Sequence, residues 1–277
     1  MKGRLYICPT PIGNLEDISI RTLNILKECD FIACEDKRIS IKLLNHYEIK
    51  KELISYHKFN EMQMTKTILD RISNGEVCAL ISDAGMPGIS DPGHILIKSA
   101  IENKIEITVL PGANAAITAL VYSGLPSNNF YFEGFLPKKA IERKKKFELY
   151  ESLNCPIIIY ESPNRIKSTL NEMFEYFGDM EISIARELTK IYEECIRGRL
   201  KDIIISLEDE SIKGEIVLII YPKAKSQYYD LQKEFYKYFK LGFNKKDVVK
   251  ILSTMTNYPR NEIYKASLEI GDEDVFD

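Results

Sequence analysis

The first half of the chain alternates short apolar runs with segments of helical periodicity. The apolar runs lie at residues 5–8, 31–35, 77–82 and 105–110. Apolar residues at helical spacing predict helices over 18–28, 61–73 and 94–102. Strands that are apolar throughout and alternate with helices indicate a mostly parallel sheet covered on both faces. We therefore predict an α/β domain over residues 1–122.

The second half spaces its apolar runs differently. After a predicted helix at 113–124, Gly124, Pro126 and the polar residues that follow indicate a linker. Strand-like runs then lie at 129–135, 156–160, 181–187, 193–198 and 214–220. These runs come with fewer and shorter helices, which favours a mixed sheet with hairpins. A second α/β domain is predicted over residues 123–223.

The last part of the chain, residues 224–277, is polar and rich in tyrosine. Its pattern predicts a helix over 245–254, a tight turn over 255–258 and a helix over 259–270. Pro259 is well placed at the start of the second of these helices. We expect a small helical module of the helix-turn-helix type.

Composition excludes several classes of protein. The chain has 277 residues with 38 Lys and Arg against 41 Asp and Glu, a formal net charge of −3, so any nucleic-acid binding must be local. No apolar stretch approaches the roughly 18 residues of a membrane span, so we expect a cytoplasmic protein with no membrane partner. The six cysteines are scattered and the histidines number only three, which argues against a metal site or a catalytic triad.

Three loops rich in Gly and Pro each follow a predicted strand and precede a predicted helix. They lie at residues 8–17, 82–93 and 111–116. Any one alone reads as a turn, but parallel strands present their carboxyl ends at one edge, where ligands bind. The glycines do not match a phosphate loop or a dinucleotide fingerprint, which argues against ATP and NAD. A small, partly apolar ligand held by backbone groups remains.

Seven segments occur in an order that is specific to one family. They are TPIGNLEDIS with the following RTL (10–23), CEDKR (34–38), SDAGMPGISDPG (82–93), LPGANAAITAL (110–120), EGFLPKK (133–139), YESPNRI (160–166) and ARELTK with the following YEE (185–194). Together they resemble the ribosomal RNA small subunit methyltransferase I family of the tetrapyrrole methylase superfamily. The resemblance covers residues 4–222, and the tail resembles the helical module of many members. Lys37 and Asn164 depart from the commoner Thr and His.

The resemblance implies S-adenosylmethionine as cofactor and 2′-O-methylation of a cytidine in the decoding centre of 16S ribosomal RNA. It also implies two α/β domains with the cofactor between them, the small ribosomal subunit or its RNA as partner, and a homodimer. The cofactor contacts carried over from the superfamily are Pro11, Asp83, Gly85, Met86, Asn114, Ala115, Tyr160, Ala185 and Ile216. Asp83 and Asn114 could equally be turn or helix-capping residues.

The acceptor is a ribose hydroxyl, which needs a group to take its proton. Charged residues that follow apolar strands are the candidates: Glu35, Asp36, Arg38, Glu161, Arg165, Arg186, Glu187 and Lys190. Lys190, oriented by Glu187, is the leading candidate as a base or as a cation beside the oxyanion, and Asp36 or Glu187 is the alternative base. A network of structural salt bridges would explain the same clustering.

Contact with RNA is expected from local basic residues. The run at 138–146 contains six positive residues and one acid, Glu142, although a solvated helix face has the same pattern. The predicted RNA contacts are Arg38, Lys138, Lys139, Arg143, Lys144, Arg165, Arg186 and Arg260. Two alternatives stay open: a methyltransferase acting on carbon of a tetrapyrrole, and an RNA-binding or ribosome-assembly protein without catalysis.

Overall fold

A computed structural model of the chain describes residues 3–222, 230–256 and 258–270. Two compact units are distinguished by their internal contacts. The first contains residues 3–150 and 155–222, and the second contains residues 151–154 with the described residues beyond 229. Both β-sheets belong to the first unit.

The first sheet is fully parallel, as the alternation of apolar runs and helices predicts. Its strands are β1 (Arg4–Ile7), β2 (Phe31–Cys34), β3 (Glu52–Ser55), β4 (Val77–Ile81) and β5 (Glu106–Val109). The strand order is β3-β2-β4-β1-β5. The helices that connect or follow these strands are α1 (Ile20–Glu28), α2 (Lys37–His46), α3 (Glu61–Ser73), α4 (His94–Glu102) and α5 (Ala115–Ser123).

Apolar side chains cover both faces of this sheet. Successive residues of a strand point to opposite faces, so Leu5 packs on one side with Ile68 of α3. On the other side Ile32 packs with Leu26 of α1 and Leu44 of α2. The loops at the carboxyl ends of the strands are therefore carried by a sheet that is buried on both faces.

The pattern of the sequence does not predict β3 and α2. Strand β3 is a short edge strand in which Glu52 is exposed, so it lacks the continuous apolar run of a central strand. Helix α2 begins within the charged segment CEDKR, where the side chain of Asp36 caps it by accepting a hydrogen bond from the Arg38 N–H. Ser55, at the end of β3, and Lys37, at the start of α2, line the same surface cleft.

The second sheet is mixed, as expected. Its strands are β6 (Tyr131–Phe135), β7 (Ile157–Glu161), β8 (Glu181–Arg186), β9 (Glu194–Arg199) and β10 (Ile216–Ile220). In the order β6-β7-β10-β8-β9, the first pair is parallel and the others are antiparallel. The helices are α6 (Ala140–Leu153), α7 (Ile166–Phe177) and α8 (Leu200–Ser206). Helices α6 and α7, of 14 and 12 residues, are longer than the pattern predicts. Helix α6 contains most of the basic run 138–146, which hides its periodicity.

Helix α5 follows the first sheet in sequence but packs against the second. Its small residues Ala116 and Ala119 lie with Leu120 against Ile158 of β7 and Val217 of β10. This packing joins the two sheets within one unit. The division into domains at residues 122 and 123 stays a prediction.

The described residues of the second unit beyond 229 form three helices, α9 (Leu231–Lys240), α10 (Lys245–Met255) and α11 (Arg260–Glu269). Phe235, Val248 and Ile263 form its core, one from each helix. Helices α10 and α11 match the two predicted from the sequence, while α9 was not predicted. The predicted turn at 255–258 includes residue 257, which lies outside the described residues. In the described part of the chain, no helix is both long and apolar enough to cross a membrane.

Candidate cofactor and substrate site

One cavity of about 480 Å³ lies where the strand ends of the two sheets meet. From the first sheet it is lined by the loops that follow β1, β2, β4 and β5. From the second sheet it is lined by the ends of β6, β7 and β8 and by the start of β10, which runs in the opposite direction. This size and position are typical of a small-molecule site in an α/β protein.

Gly85 connects two of the loops that form the cavity. It exchanges backbone hydrogen bonds with Thr10, with N···O distances of 2.9 and 3.0 Å, so the loop after β4 pairs with the loop after β1. Its φ of +75° favours glycine, and a Cβ there would lie 3.3 Å from the Ile12 side chain. The backbone can approach a ligand here because Gly85 has no side chain.

Most of the predicted cofactor residues line this cavity. They are Asp83, Gly85, Met86, Asn114, Ala115, Tyr160 and Ile216. Asn114 also caps α5 by accepting a hydrogen bond from the Ile117 N–H at 3.1 Å, and Asp83 accepts one from the Asp36 N–H at 3.0 Å. Asn114 therefore both caps α5 and lines the cavity.

Two predicted cofactor residues do not line the cavity. Ala185 is buried in β8 within the apolar core against α5, so its side chain packs inside the second sheet. Pro11 is buried beside Ile12, and Ile12 is the residue of that loop that reaches the cavity wall. The spacing of a motif does not distinguish which of two adjacent residues faces a ligand.

Five carboxylates line the cavity: Glu161 pairs with Arg165 and Glu215 with Lys190, and the other three are Glu35, Asp83 and Asp91. Burial and repulsion from Asp83 raise the pKa of Glu35, and burial raises the pKa of Asp83. Burial raises the pKa of Asp91 further, to about 7, with repulsion from Glu35 and Asp83 adding to it. Among the described residues, no cation forms an ion pair with any of the three. The cavity therefore favours a ligand that carries positive charge.

Asp91 is the functional candidate that the sequence interpretation missed. It lies in the loop SDAGMPGISDPG, six residues after Gly85, in a turn between Ser90 and Pro92. An aspartate before proline is ordinary turn chemistry, so nothing in the sequence alone separates it from a structural residue. The one sequence feature that could have indicated Asp91 is that Ser90-Asp91 repeats the pair Ser82-Asp83.

Lys190 lies beside the cavity and not in its wall. Its ammonium donates hydrogen bonds to Glu187 Oε1 at 2.9 Å and to Glu215 Oε2 at 3.0 Å. Burial alone would lower the pKa of Lys190, but the bonds to Glu187 and Glu215 outweigh it and the pKa is raised. The same pairing lowers the pKa of Glu187. Lys190 is therefore an ammonium near neutral pH, which suits a cation better than a base.

The loop that carries Lys190 packs tightly against the loop after β1. Glu187 and Thr189 have left-handed φ values of 51° and 65°. The Asn14 N–H donates to Thr189 Oγ1 at 2.9 Å, and a Cβ on Gly13 would lie 2.6 Å from the Lys190 side chain. The first sheet and the second are thereby joined at the rim of the cavity.

Asp36 is paired with Arg38 and does not line the cavity. Its carboxylate accepts hydrogen bonds from the Arg38 guanidinium, which lower the pKa of Asp36 to about 2. A carboxyl group with so low a pKa is a weak proton acceptor. Asp36 instead lines a second cleft, which adjoins the cavity. The Arg38 side chain is 88% exposed.

Several of the predicted RNA contacts are engaged in structural pairs. Arg143 of α6 forms a bidentate ion pair with Glu172 of α7, at 2.6 and 2.5 Å. Arg186 pairs with Glu194 at 2.6 Å, and Arg165 donates to the Leu136 carbonyl. These three arginines therefore fit the alternative of a structural salt-bridge network better than the prediction that they bind RNA phosphates.

The remaining basic candidates are accessible. Lys138 and Lys144 are exposed, and Lys139 is exposed although it pairs with Glu142 at 3.3 Å. Arg260 is exposed on α11 of the second unit. In residues 3–222, 230–256 and 258–270, no group of three or more His, Cys, Asp or Glu side chains is placed to hold a metal ion.

Comparisons with known proteins agree with this fold. The family described as Tetrapyrrole (Corrin/Porphyrin) Methylases matches residues 4–204. Among solved structures, diphthine synthase has a TM-score of 0.60 at 13% identity, covering 78% of this chain and 89% of that one. Uroporphyrin-III-C-methyltransferase from Thermus thermophilus has a TM-score of 0.54 at 16% identity, covering 78% of this chain and 94% of that one. At these identities the likeness shows the fold alone.

The fold and the cavity define an S-adenosylmethionine-dependent methyltransferase, and the chain belongs to the tetrapyrrole methylases. It is 42% identical to Ribosomal RNA small subunit methyltransferase I of Halalkalibacterium halodurans, over 95% of this chain and 94% of that protein. The protein of that name from Bacillus subtilis is 39% identical over the same shares. That from Hydrogenobaculum sp. is 50% identical over 78% of this chain and 95% of its own.

The residues of the cavity fit S-adenosylmethionine. The glycine at position 85 leaves space that a Cβ would fill, and Ile12, Ala84 and Val217 supply apolar walls for an adenosine ring. Glu35 and Asp91 face the same space, and a sulfonium and an ammonium are the cationic groups they would neutralise. Size, shape and charge therefore agree with this cofactor.

Ligand-induced stabilisation tests the position of the site. S-adenosylmethionine and S-adenosylhomocysteine should raise the Tm of the protein because a ligand that binds only the native state stabilises it, whereas NAD and ATP should not. Gly85→Val should abolish this shift because its side chain would enter the cavity. Gly178→Val is the matched control, since Gly178 has the same left-handed φ, +74°, but no atom within 4 Å of a Cβ. An equal ligand-induced rise in Tm in both variants would show that the site lies elsewhere.

The raised pKa of Asp91 predicts how stability changes with pH. The native state holds this proton more tightly than the unfolded state, with a pKa of about 7 against an ordinary value of 3.8. Its contribution to the free energy of unfolding is therefore complete below about pH 4 and is lost as the pH rises through about 7. Asp91→Asn should be more stable than the unsubstituted protein at about pH 8, with the difference shrinking toward about pH 4.

Urea unfolding of the ligand-free protein at both pH values measures this difference. Asp70→Asn is the control, because Asp70 is exposed on α3 and away from the cavity. A gap between Asp91→Asn and the unsubstituted protein that stays constant with pH would contradict the burial of an ionisable Asp91.

Proposed function

We propose that the protein transfers a methyl group from S-adenosylmethionine to the 2′-hydroxyl of a cytidine in the decoding centre of 16S ribosomal RNA. The observation that carries this proposal is the 42% identity, over nearly the full length of both chains, to a protein named Ribosomal RNA small subunit methyltransferase I. The carboxylate-lined cavity supports it, because a methyl donor with a sulfonium charge fits there.

The protein contributes position and electrostatics to this reaction. When bound, S-adenosylmethionine supplies an electrophilic methyl group together with its own leaving group. Ile12, Leu188 and Val217 give the cavity apolar walls, and the backbone at Gly85 would lie beside the donor. Holding donor and acceptor in line is the main source of rate that such a site can supply.

Asp91 is the residue that we assign to the ribose proton. It lines the cavity, and its pKa of about 7 matches what a general base needs near neutral pH. Lys190 keeps the role of a cation beside the reacting oxygen, oriented by Glu187 and Glu215. Asp36 is assigned to capping α2 and to the pairing with Arg38.

The partner of this proposal is the small ribosomal subunit or its RNA. Phosphate contacts are assigned to the exposed Arg38, Lys138, Lys139 and Lys144, and the module at 224–277 is assigned to docking through Arg260. Cytoplasmic location follows from this substrate.

A homodimer is part of the same proposal. Exposed apolar side chains lie on α5, at Val121, and on the loop between β8 and β9, at Ile191 and Tyr192. Apolar groups left in water favour association with a protein surface.

Transfer of a tritiated methyl group to small subunits from a strain lacking this modification tests the function. We expect incorporation at a cytidine 2′-oxygen with the unsubstituted protein. At saturating S-adenosylmethionine, Asp91→Asn should slow single-turnover transfer by roughly 10²–10⁴-fold, the usual contribution of a general base. Lys190→Arg should stay active because the cation is kept.

Asp70→Asn should behave like the unsubstituted protein in this assay. Incorporation into a tetrapyrrole and not into RNA, or cofactor binding without any transfer, would replace the proposal with one of the two alternatives. A normal rate in Asp91→Asn together with an inactive Lys190→Arg would indicate that Lys190, and not Asp91, takes the ribose proton.

A further inference from the structure

A second cleft, of about 530 Å³, adjoins the cofactor cavity. Glu35 and Asp83 line both spaces, so these two carboxylates form a common wall. The remaining wall of the cleft includes Lys37, Lys58 and Phe59. A molecule in the cleft would therefore lie next to a molecule in the cavity.

The topology of the first sheet explains this adjacency. Strands β3, β2 and β4 are neighbours, and all of them run in the same direction. Ser55 ends β3, Glu35 follows β2 and Asp83 follows β4, so their positions succeed one another along the carboxyl edge. The cleft occupies the outer part of that edge, toward the edge strand β3.

Phe59 is the most unusual residue of this cleft, because its side chain is 94% exposed. The loop that carries it is held by Asn60, whose Nδ2 donates to the Ser55 carbonyl at 2.9 Å and whose Oδ1 accepts from the His57 N–H at 2.8 Å. The His57 ring meets Phe59 at a centroid distance of 6.1 Å and an angle of 66°. An aromatic face is thus presented to solvent from an ordered turn.

Two lysines, Lys37 and Lys58, line the cleft together with Phe59. Lys37 and Lys58 are exposed, and neither forms an ion pair with another residue in the described parts of the chain. The carboxylates Glu35 and Asp83 lie at the inner wall, which is shared with the cavity. The third carboxylate of the cleft, Asp36, is paired with Arg38. The cleft therefore has two exposed lysines beside Phe59 and negative charge on the wall that it shares with the cavity.

We propose that this cleft receives the acceptor nucleotide, with its base stacked on Phe59, its phosphates against Lys37 and Lys58, and its ribose toward the wall of Glu35 and Asp83. Single-stranded RNA is commonly recognised by unstacked bases that pack on aromatic side chains. A ribose hydroxyl donates hydrogen bonds to carboxylates, whereas phosphates are repelled by them, so the charge gradient orients the nucleotide. The inference rests on the proposed function, because it places the acceptor of that reaction.

Substitution of Phe59 tests the stacking contact. Stacking of a base on an aromatic ring is worth roughly 5- to 150-fold in binding. Phe59→Ala should therefore raise the KM for small subunits within that range, while the affinity for S-adenosylmethionine and the Tm stay unchanged. Phe59→Trp should restore the low KM, because it keeps an aromatic face; a purely structural role would not give this rescue.

Tryptophan fluorescence provides a direct measure of contact. The chain contains no Trp, so the emission of the Phe59→Trp protein reports only this position. Protein-free 16S ribosomal RNA should quench it, because a stacked base quenches indole emission. Phe130→Trp is the control: Phe130 is 42% exposed and lies before β6, at the opposite end of that strand from the cavity residue Phe135. Its emission should change little.

A KM for Phe59→Ala equal to that of the unsubstituted protein, or equal quenching of the two tryptophan variants, would overturn the inference. Failure of the unsubstituted protein to methylate small subunits would instead contradict the proposed function. Quenching of Phe59→Trp but not of Phe130→Trp would then still show a nucleotide site in this cleft.

Discussion

The loop that follows the first strand holds the site together, because it is bonded to both halves of the cavity wall. On one side Thr10 exchanges two backbone hydrogen bonds with Gly85 in the loop after β4. On the other side Asn14 bonds to Thr189, and Gly13 packs against Lys190 where any Cβ would collide. The strand ends of two separate sheets therefore face one space. Without these close contacts, neither sheet alone would enclose a ligand.

Charge is distributed unevenly around that space. Glu35, Asp83 and Asp91 line the cavity without ion-pair partners in the described chain, whereas Lys190 beside it is neutralised by Glu187 and Glu215. Unpaired buried carboxylates destabilise the protein unless they are protonated or meet a cation. A positively charged methyl donor supplies that cation, so the feature that weakens the ligand-free protein at high pH is the one that binds cofactor. Stability and function are thus coupled through the same side chains.

Much of this architecture follows from local patterns in the sequence. The apolar strands β1, β2, β4 and β5 predict a parallel sheet, and the glycines of 82–93 and 111–116 predict a ligand at its edge. Strand β3 is not predicted because it is a short edge strand, and helix α2 is not predicted because it begins in a charged segment.

The roles of single charged residues depend on tertiary contacts that periodicity does not contain. The sequence suggests that Arg143 is a free basic residue, but in the folded protein it pairs with Glu172 of α7, 29 positions further along the chain. Asp91 looks like a turn residue until burial beside Glu35 and Asp83 raises its pKa. Motif resemblance therefore locates the site, whereas burial and pairing decide what each side chain does in it.

We conclude that the carboxylates of this cavity bind a positively charged methyl donor. Titration calorimetry with S-adenosylmethionine and S-adenosylhomocysteine tests it most directly, because the two ligands differ by the methyl group and the sulfonium charge. Affinity for S-adenosylmethionine relative to S-adenosylhomocysteine should increase as the pH rises through about 7, where Asp91 ionises, and this increase should disappear in Asp91→Asn. A ratio of affinities that is independent of pH, and equal in Asp91→Asn and the unsubstituted protein, would show that these carboxylates do not bind the charge of the donor.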